Sequence, residues 1–102
     1  MLGHISCDEL KTLIEHEPDS FVLIDVREQQ EWDRGHIPGA IHIPIYDLEK
    51  EIDKVVPMYD TKVIINCFSG GRSEKAGNIL DAAGYTDVYS LDGGFRGYCH
   101  LT

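Results

Sequence analysis

The sequence has few of the features that would place it in a membrane or secreted class. No apolar run approaches the ~20 residues that a membrane-spanning helix needs, and the N-terminus lacks the basic start and apolar stretch of a secretory signal. Only four of the 102 residues are proline and 42% are hydrophobic, which predicts one domain over residues 1–102 with a single buried core. We therefore expect a soluble, cytoplasmic protein.

Cysteine and basic residues are also scarce. The cysteines Cys7, Cys67 and Cys99 are odd in number, widely spaced and without a CxxC pair, so the sequence predicts neither a disulfide framework nor a zinc site. Nine Lys and Arg against eighteen Asp and Glu give a net charge of −9. A nucleic-acid binder needs a basic stripe to displace counterions, so this balance argues against that class. We expect reduced thiols, no metal, and no nucleic-acid or membrane partner.

Short apolar segments alternate with amphipathic ones along the chain. Strands are predicted at residues 4–5, 21–26, 40–43, 62–66 and 88–91, and helices at residues 7–16, 28–33, 46–56 and 73–83. Residues 21–26 are apolar up to Asp25, as in a strand that is buried on both faces of a parallel sheet. This alternation predicts an α/β fold with a parallel sheet and right-handed crossovers.

The segment NCFSGGRSEKAG, Asn66–Gly77, follows a predicted buried strand and leads into a predicted helix. Open α/β sheets place their sites at such strand ends. Gly70 and Gly71 allow the backbone to curl so that its amides point inward, and the helix start adds partial positive charge. These groups would lower the pKa of a Cys67 thiol from the ~8.5 of a free thiol. The sequence thus predicts an activated nucleophile that needs no histidine base.

Two polar residues end this loop. The Ser73 hydroxyl is expected to cap the following helix, and the Arg72 cation is expected either to bind an anionic substrate or to brace the loop. Cys67 could instead be a small buried hydrophobe, but its polar, glycine-rich C-x4-R-S context favours a reactive thiol. Cys7 is expected to be structural. Cys99 is interpreted as a bystander, with an exposed thiol that resolves an oxidised Cys67 as the alternative.

Three motifs together resemble the single-domain rhodaneses, a sulfurtransferase family. They are LIDVREQQEWDRGHIPGAIHIP at residues 23–44, NCFSGGRSEKAGNIL at residues 66–80 and LDGGFRGY at residues 91–98. The resemblance implies a rhodanese-like, doubly wound parallel sheet of about five strands with helices on both faces. It also implies that Cys67 takes a sulfane sulfur from a donor such as thiosulfate, becomes a persulfide, and passes the sulfur to a thiophilic acceptor such as cyanide or a thiol.

In the rhodaneses the backbone amides of the cysteine loop cradle the persulfide. The resemblance therefore implies substrate-binding roles for Phe68, Ser69, Gly70, Gly71, Arg72 and Ser73. Arg72 is the first candidate to orient an anionic donor, and Lys75 and Arg96 are weaker candidates. No cofactor is implied beyond the covalent persulfide.

The same fold resembles a class of dual-specificity phosphatases and arsenate reductases. In those proteins five residues separate the nucleophilic cysteine from the closing arginine. Here four residues lie between Cys67 and Arg72, namely Phe68, Ser69, Gly70 and Gly71. The tighter loop suits one added sulfur better than a tetrahedral oxyanion, so a phosphatase or arsenate reductase is the weaker interpretation.

Three further residues in the first motif are predicted to support the site. Asp25 and Arg27 end a strand on the same sheet edge as the cysteine loop, and we expect them to pair and hold neighbouring loops. His36 could be taken for a base acting on Cys67. Its position in the family motif instead implies a role in the scaffold near Asp25 and Arg27.

A second functional hypothesis is a sulfur-relay or protein-interaction module. Its acceptor would be the cysteine of a partner protein. The acidic surface would suit a basic partner and would slow the approach of small anions such as thiosulfate.

Overall fold

The computed structural model describes residues 2–100, which form one five-stranded sheet in the order β1-β5-β4-β2-β3. Every strand pairing is parallel. The strands are β1 (Gly3–Ile5), β2 (Val22–Asp25), β3 (Ile41–His42), β4 (Val63–Asn66) and β5 (Val88–Leu91). The helices are α1 (Cys7–His16), α2 (Gln29–Asp33), α3 (Leu48–Val55), α4 (Gly71–Ala82) and α5 (Gly94–Cys99), with a 3₁₀ turn at Ile45–Asp47. The prediction of an α/β fold with about five parallel strands is confirmed.

The sheet is buried on both faces because its strands are almost continuously apolar. All four residues of the central strand β4 are buried. One face packs against buried side chains of α3 and α4, among them Leu48 and Leu80, and the other against side chains of α1 and α5, among them Leu10 and Phe95. Alternate residues of a strand point to opposite faces, so β4 contributes Ile65 to the first core and Ile64 to the second. The predicted helices on both faces are thus confirmed.

Two helices begin in different ways. The Ser6 hydroxyl accepts a hydrogen bond from the Glu9 amide at 3.1 Å, and the Glu9 carboxylate accepts one from the Ser6 amide at 3.1 Å, which forms the capping box of α1. The prediction that Ser73 caps the next helix is wrong. That helix begins two residues earlier, after Gly70 at φ +119°, because a glycine can make the turn in this backbone conformation.

No helix among residues 2–100 is long and apolar enough to cross a membrane.

A buried ion pair ties the end of β2 to two other segments. The Arg27 guanidinium donates to the Asp25 carboxylate at 2.8–3.0 Å and to the Gly35 carbonyl at 2.7 Å. Its carbon lies 4.4 Å from the centre of the Phe95 ring on α5. Arg27 is 2% exposed and Asp25 is fully buried. The expected pairing of the two residues is observed, and it fixes the sheet edge next to the cysteine loop.

We predict that Asp25→Ala lowers the free energy of unfolding by about 3–5 kcal/mol, because it leaves the buried guanidinium of Arg27 without its counter-charge. A matched control is Glu51→Ala. Glu51 pairs with Lys54 at 3.6 Å on the surface of α3, where removing one partner costs at most about 1 kcal/mol. Urea unfolding of both variants gives the comparison, and equal losses would contradict a structural role for the buried pair.

Candidate active site

Cys67 directly follows the central strand β4 at the carboxyl edge of the sheet. It is 1% exposed, and the chain continues through Phe68, Ser69 and Gly70 into α4. The Gly70 amide donates a hydrogen bond to the Cys67 sulfur at 3.0 Å. The loop therefore curls back over the sulfur, as its two glycines predicted.

Two opposing effects act on the pKa of the Cys67 thiol. Burial alone raises it, but the amides of Ser73, Gly70 and Ser69, together with the nearby Ser73 hydroxyl, hold the pKa below its usual value of 9.0. These groups belong to the loop and to the start of α4, where they favour the thiolate form.

The contacts that the structure gives for His36 are with Trp32. Its ring stacks on Trp32, with ring centres 3.5 Å apart and planes 1° apart, and its Nδ1 lies 3.2 Å from the Trp32 carbonyl. Trp32 also stacks on His42 at 4.9 Å, and His42 Nε2 lies 2.8 Å from the Arg27 carbonyl. The geometry agrees with the expectation that His36 belongs to the scaffold near Arg27.

The start of α5 holds the cysteine loop from the opposite side. The Phe95 amide donates to the Cys67 carbonyl at 2.8 Å, and the Arg96 amide donates to the Phe68 carbonyl at 2.9 Å. With their carbonyls bound by α5, these two peptide groups keep a fixed orientation. Gly94 makes this contact possible, because a Cβ there would lie 2.5 Å from the Phe68 oxygen and 2.6 Å from the Cys67 oxygen. The sequence motif at residues 91–98 contains this glycine, but no role was predicted for it. The two consecutive glycines Gly93 and Gly94, just after β5, were the sequence signal that could have indicated one.

Arg72 forms an ion pair rather than facing solvent freely. Its guanidinium donates to the two carboxylate oxygens of Glu31 at 2.7 and 2.9 Å. These hydrogen bonds lower the pKa of Glu31 to about 2 against an opposing effect of burial, and the pKa of Arg72 is raised in return. Of the two roles expected for Arg72, this geometry favours bracing the loop against α2. Sequence reasoning missed Glu31, since nothing in the local sequence distinguishes it from other acidic residues.

Ser73 is buried within the first turn of α4. Its hydroxyl donates to the Gly70 carbonyl at 2.9 Å and lies 2.7 Å from the hydroxyl of Ser90 on β5. These contacts fix the first turn of the helix against the sheet. The remaining members of the predicted loop are on the surface, with Phe68 45% exposed and Ser69 and Gly71 also exposed.

The other cysteines and the side chains of Lys75 and Arg96 form no hydrogen bond with the Cys67 sulfur in the described part of the chain. Cys7 is buried and its thiol donates to the Asp92 carbonyl at 3.3 Å, which suits the structural role expected of it. Cys99 is exposed, as are Lys75 and Arg96. Among residues 2–100, no group of His, Cys, Asp and Glu is arranged to hold a metal ion.

A cavity of about 290 Å³ opens beside the cysteine loop. It is lined by Arg27, Glu31, Arg34, Phe68 and Phe95. Larger cavities of about 410 and 340 Å³ lie along α1 and around residues 14–41, and neither is lined by a residue of the cysteine loop.

Fold and loop together define an α/β domain with a cysteine presented at the end of its central strand. The chain belongs to the rhodanese-like family, since the profile of the Rhodanese-like domain matches residues 6–101. It is 40% identical over 78 residues to the thiosulfate sulfurtransferase GlpE of Pseudomonas fluorescens (strain SBW25), an alignment covering 74% of this chain and 67% of the relative.

Two further comparisons agree with this assignment. The chain is 32% identical over 101 residues to the putative sulfur carrier protein YrkF of Bacillus subtilis (strain 168), an alignment covering 99% of this chain and about half of the relative, 53%. Its structure resembles the human single-domain sulfurtransferase TSTD1 with a TM-score of 0.85 and 25% identity, covering 97% of this chain and 96% of that one. The sequence-based assignment to the rhodaneses is confirmed.

We predict that Gly94→Ala destabilises the protein by about 3 kcal/mol or more, because the new methyl group meets two backbone oxygens that cannot move independently of the loop. Gly84→Ala is the control. Gly84 has φ +104° and open space around its Cβ position. Its substitution should therefore lower the free energy of unfolding by about 1–2 kcal/mol through backbone strain alone, without a steric contact of the new methyl group. Urea unfolding measures both, and a Gly94→Ala loss no larger than the control's would contradict the close approach of α5.

The low pKa of Glu31 predicts a pH-dependent contribution to stability. The folded value of about 2 lies below the usual 4.5, so the contribution is complete above about pH 4.5 and is lost as the pH falls toward 2. After allowance for partial exposure, Glu31→Gln should cost about 1 kcal/mol at pH 6 and less at pH 3. Urea unfolding at both pH values measures this difference, with Glu49→Gln on the exposed face of α3 as control. A cost independent of pH would contradict the ion pair.

Proposed function

We propose that this protein is a sulfurtransferase that moves a sulfane sulfur from a donor such as thiosulfate to a thiophilic acceptor through a persulfide on Cys67. The observation that supports this most strongly is the 3.0 Å hydrogen bond from the Gly70 amide to a sulfur that is 1% exposed. A neutral buried thiol has no need of such donors, whereas a thiolate or a persulfide anion does.

The proposed reaction is a double displacement. The Cys67 thiolate attacks the outer sulfur of the donor, a new sulfur–sulfur bond forms, and sulfite departs with the electron pair of the broken bond when thiosulfate is the donor. The acceptor, cyanide or a thiol, then attacks the terminal sulfur and restores the thiolate. Neither step consumes an oxidant, and the transferred sulfur is carried between the two steps as the covalent persulfide on Cys67.

The proposed residue roles follow from the hydrogen bonds of the loop. The amides of Ser69, Gly70 and Ser73 stabilise negative charge on sulfur in the free enzyme and in the persulfide. Phe68 and Gly71, both exposed, lie where a donor would approach. Arg72 keeps the loop in place through Glu31 instead of serving as the principal anion-binding residue. Asp25, Arg27 and His36 act as structural support.

Phosphoryl transfer fits this loop less well. A phosphate on the Cys67 sulfur would place three anionic oxygens within a loop of only four residues between Cys67 and Arg72. It would also require the Arg72 guanidinium, which is occupied by Glu31 at 2.7 and 2.9 Å. A single sulfur atom added to Cys67 needs neither the space of a phosphate group nor the guanidinium of Arg72.

A sulfur-relay role is the second candidate, in which the acceptor is a cysteine of a partner protein. The net charge of −9 favours a basic partner over a small anion. One relative carries the name putative sulfur carrier protein. The persulfide on Cys67 is common to both candidates, and they differ only in the acceptor.

The experiment is incubation of the purified protein with thiosulfate, followed by mass spectrometry of its peptides. We expect a gain of one sulfur atom on the Cys67 peptide. Cys67→Ser should abolish this gain and the transfer of sulfur to cyanide while leaving the fold intact, and Cys99→Ser, at an exposed thiol, should preserve both.

Retention of sulfur transfer in Cys67→Ser would contradict the proposal. Rates with cyanide, glutathione and a dithiol then distinguish the two candidates. Fast transfer to a small acceptor supports the enzyme, whereas a persulfide that no small acceptor removes supports the relay.

A further inference from the structure

Ser90 is a buried polar residue on β5 that the proposed reaction does not use. It is 2% exposed and pairs in the sheet with Ile65, two residues before Cys67. Its hydroxyl lies 2.7 Å from the hydroxyl of Ser73 on α4, and within residues 2–100 its side chain has no other hydrogen-bond partner. Because a buried hydroxyl without a partner costs free energy, this contact accounts for a polar side chain within the sheet.

The direction of this hydrogen bond follows from the number of protons. A serine hydroxyl carries one proton and can accept two hydrogen bonds. The proton of Ser73 is directed to the Gly70 carbonyl, at 2.9 Å, and is not available to Ser90. In the 2.7 Å pair the Ser90 hydroxyl is therefore the donor and the Ser73 oxygen is the acceptor. Consecutive hydrogen bonds that run in one direction polarise each other, so the donation from Ser90 strengthens the donation from Ser73.

Gly70 connects these hydroxyls to the reactive sulfur. Its carbonyl accepts from Ser73 and, at 3.2 Å, from the Glu74 amide, while its amide donates to the Cys67 sulfur at 3.0 Å. Gly70 has φ +119° and no side chain that could hold it in this conformation, and the backbone of glycine is unusually free to rotate. The orientation of its amide toward the sulfur therefore depends on the hydrogen bonds that its backbone makes.

We propose that Ser90 is a positioning residue for the nucleophile. Its hydroxyl donates to Ser73, Ser73 in turn donates to the Gly70 carbonyl, and the Gly70 amide is thereby held toward the sulfur of Cys67. This inference rests on the proposed role of Cys67 in sulfur transfer. Ser90 acts through the other two residues and takes no part in making or breaking bonds.

The expected effect of Ser90 is on the acidity of the Cys67 thiol. Burial raises the pKa of that thiol, and donors that include the amides of Ser73 and Gly70 hold it below its usual value. Without the Ser90 hydroxyl the Ser73 oxygen loses its donor, and both amides lose part of their restraint. One such hydrogen bond changes an equilibrium constant a few-fold, so we expect about threefold less thiolate at a pH below the pKa.

The test is a pH titration of Cys67, followed by the ¹³Cβ chemical shift of labelled cysteine. Ser90→Ala should move the titration to higher pH, with about threefold less thiolate on its acidic side. In a Ser73→Ala background the same change should have no further effect, because Ser90 acts through the Ser73 oxygen. Ser20→Ala is the control and should titrate as the wild type does, since the Ser20 hydroxyl donates to the Glu17 carbonyl at 2.8 Å on the surface.

Two outcomes would overturn the inference. One is a wild-type titration of Cys67 in Ser90→Ala, even if urea unfolding shows a loss of stability, because Ser90 would then be structural only. The other is an equal effect of Ser90→Ala in the wild-type and Ser73→Ala backgrounds, because Ser90 would then not act through Ser73. No sulfur donor takes part in these titrations, so they are independent of sulfur transfer. The mass-spectrometric experiment on Cys67 tests that function separately.

Discussion

The hydrogen bond from the Gly70 amide to the Cys67 sulfur is the contact on which the rest of the site depends. It can form only if the chain turns back within three residues of Cys67, and Gly70 makes that turn at φ +119°. A buried sulfur would normally stay protonated. Donor groups of the loop and of the start of α4 oppose this effect of burial and hold the pKa of the Cys67 thiol below its usual value, although the residue is only 1% exposed.

The surrounding structure keeps these amides in place. α5 binds the Cys67 and Phe68 carbonyls through two of its own amides, Arg72 ties the start of α4 to Glu31 on α2, and Ser73 contacts Ser90 on β5. Three separate elements therefore restrain one short loop. Such restraint lowers the cost of reorganising dipoles when charge develops on sulfur, which is how a preorganised site accelerates a reaction.

Much of the fold could be predicted because its information is local. The strands follow short apolar runs such as residues 63–65, and Ser6 with Glu9 marks the start of α1. The start of α4 was predicted two residues late. Serine is a common N-cap residue, which favoured Ser73, but Gly70 makes the turn into the helix. The candidate nucleophile, Cys67, was predicted from a cysteine and glycines that follow a strand, and its role stays a prediction.

The supporting contacts could not be predicted because they join distant parts of the chain. Glu31 and Arg72 are separated by 41 residues, and no periodicity or spacing relates them. The role of Gly94 depends on its distance to the carbonyls of Cys67 and Phe68. Each of these is a property of the folded arrangement.

The central claim is that donor groups of the cysteine loop and of the start of α4, without a histidine base, hold the pKa of the Cys67 thiol below its usual value. The most direct measurement is the pKa of Cys67, followed by the ¹³Cβ chemical shift of labelled cysteine as pH is varied, in the wild type and in His36→Gln. We predict that the pKa of Cys67 lies below its usual value of 9.0 in both proteins. We also predict that Cys67 titrates before Cys7, whose pKa is raised by burial. A Cys67 pKa at or above the usual value, or a low value lost in His36→Gln, would contradict the claim.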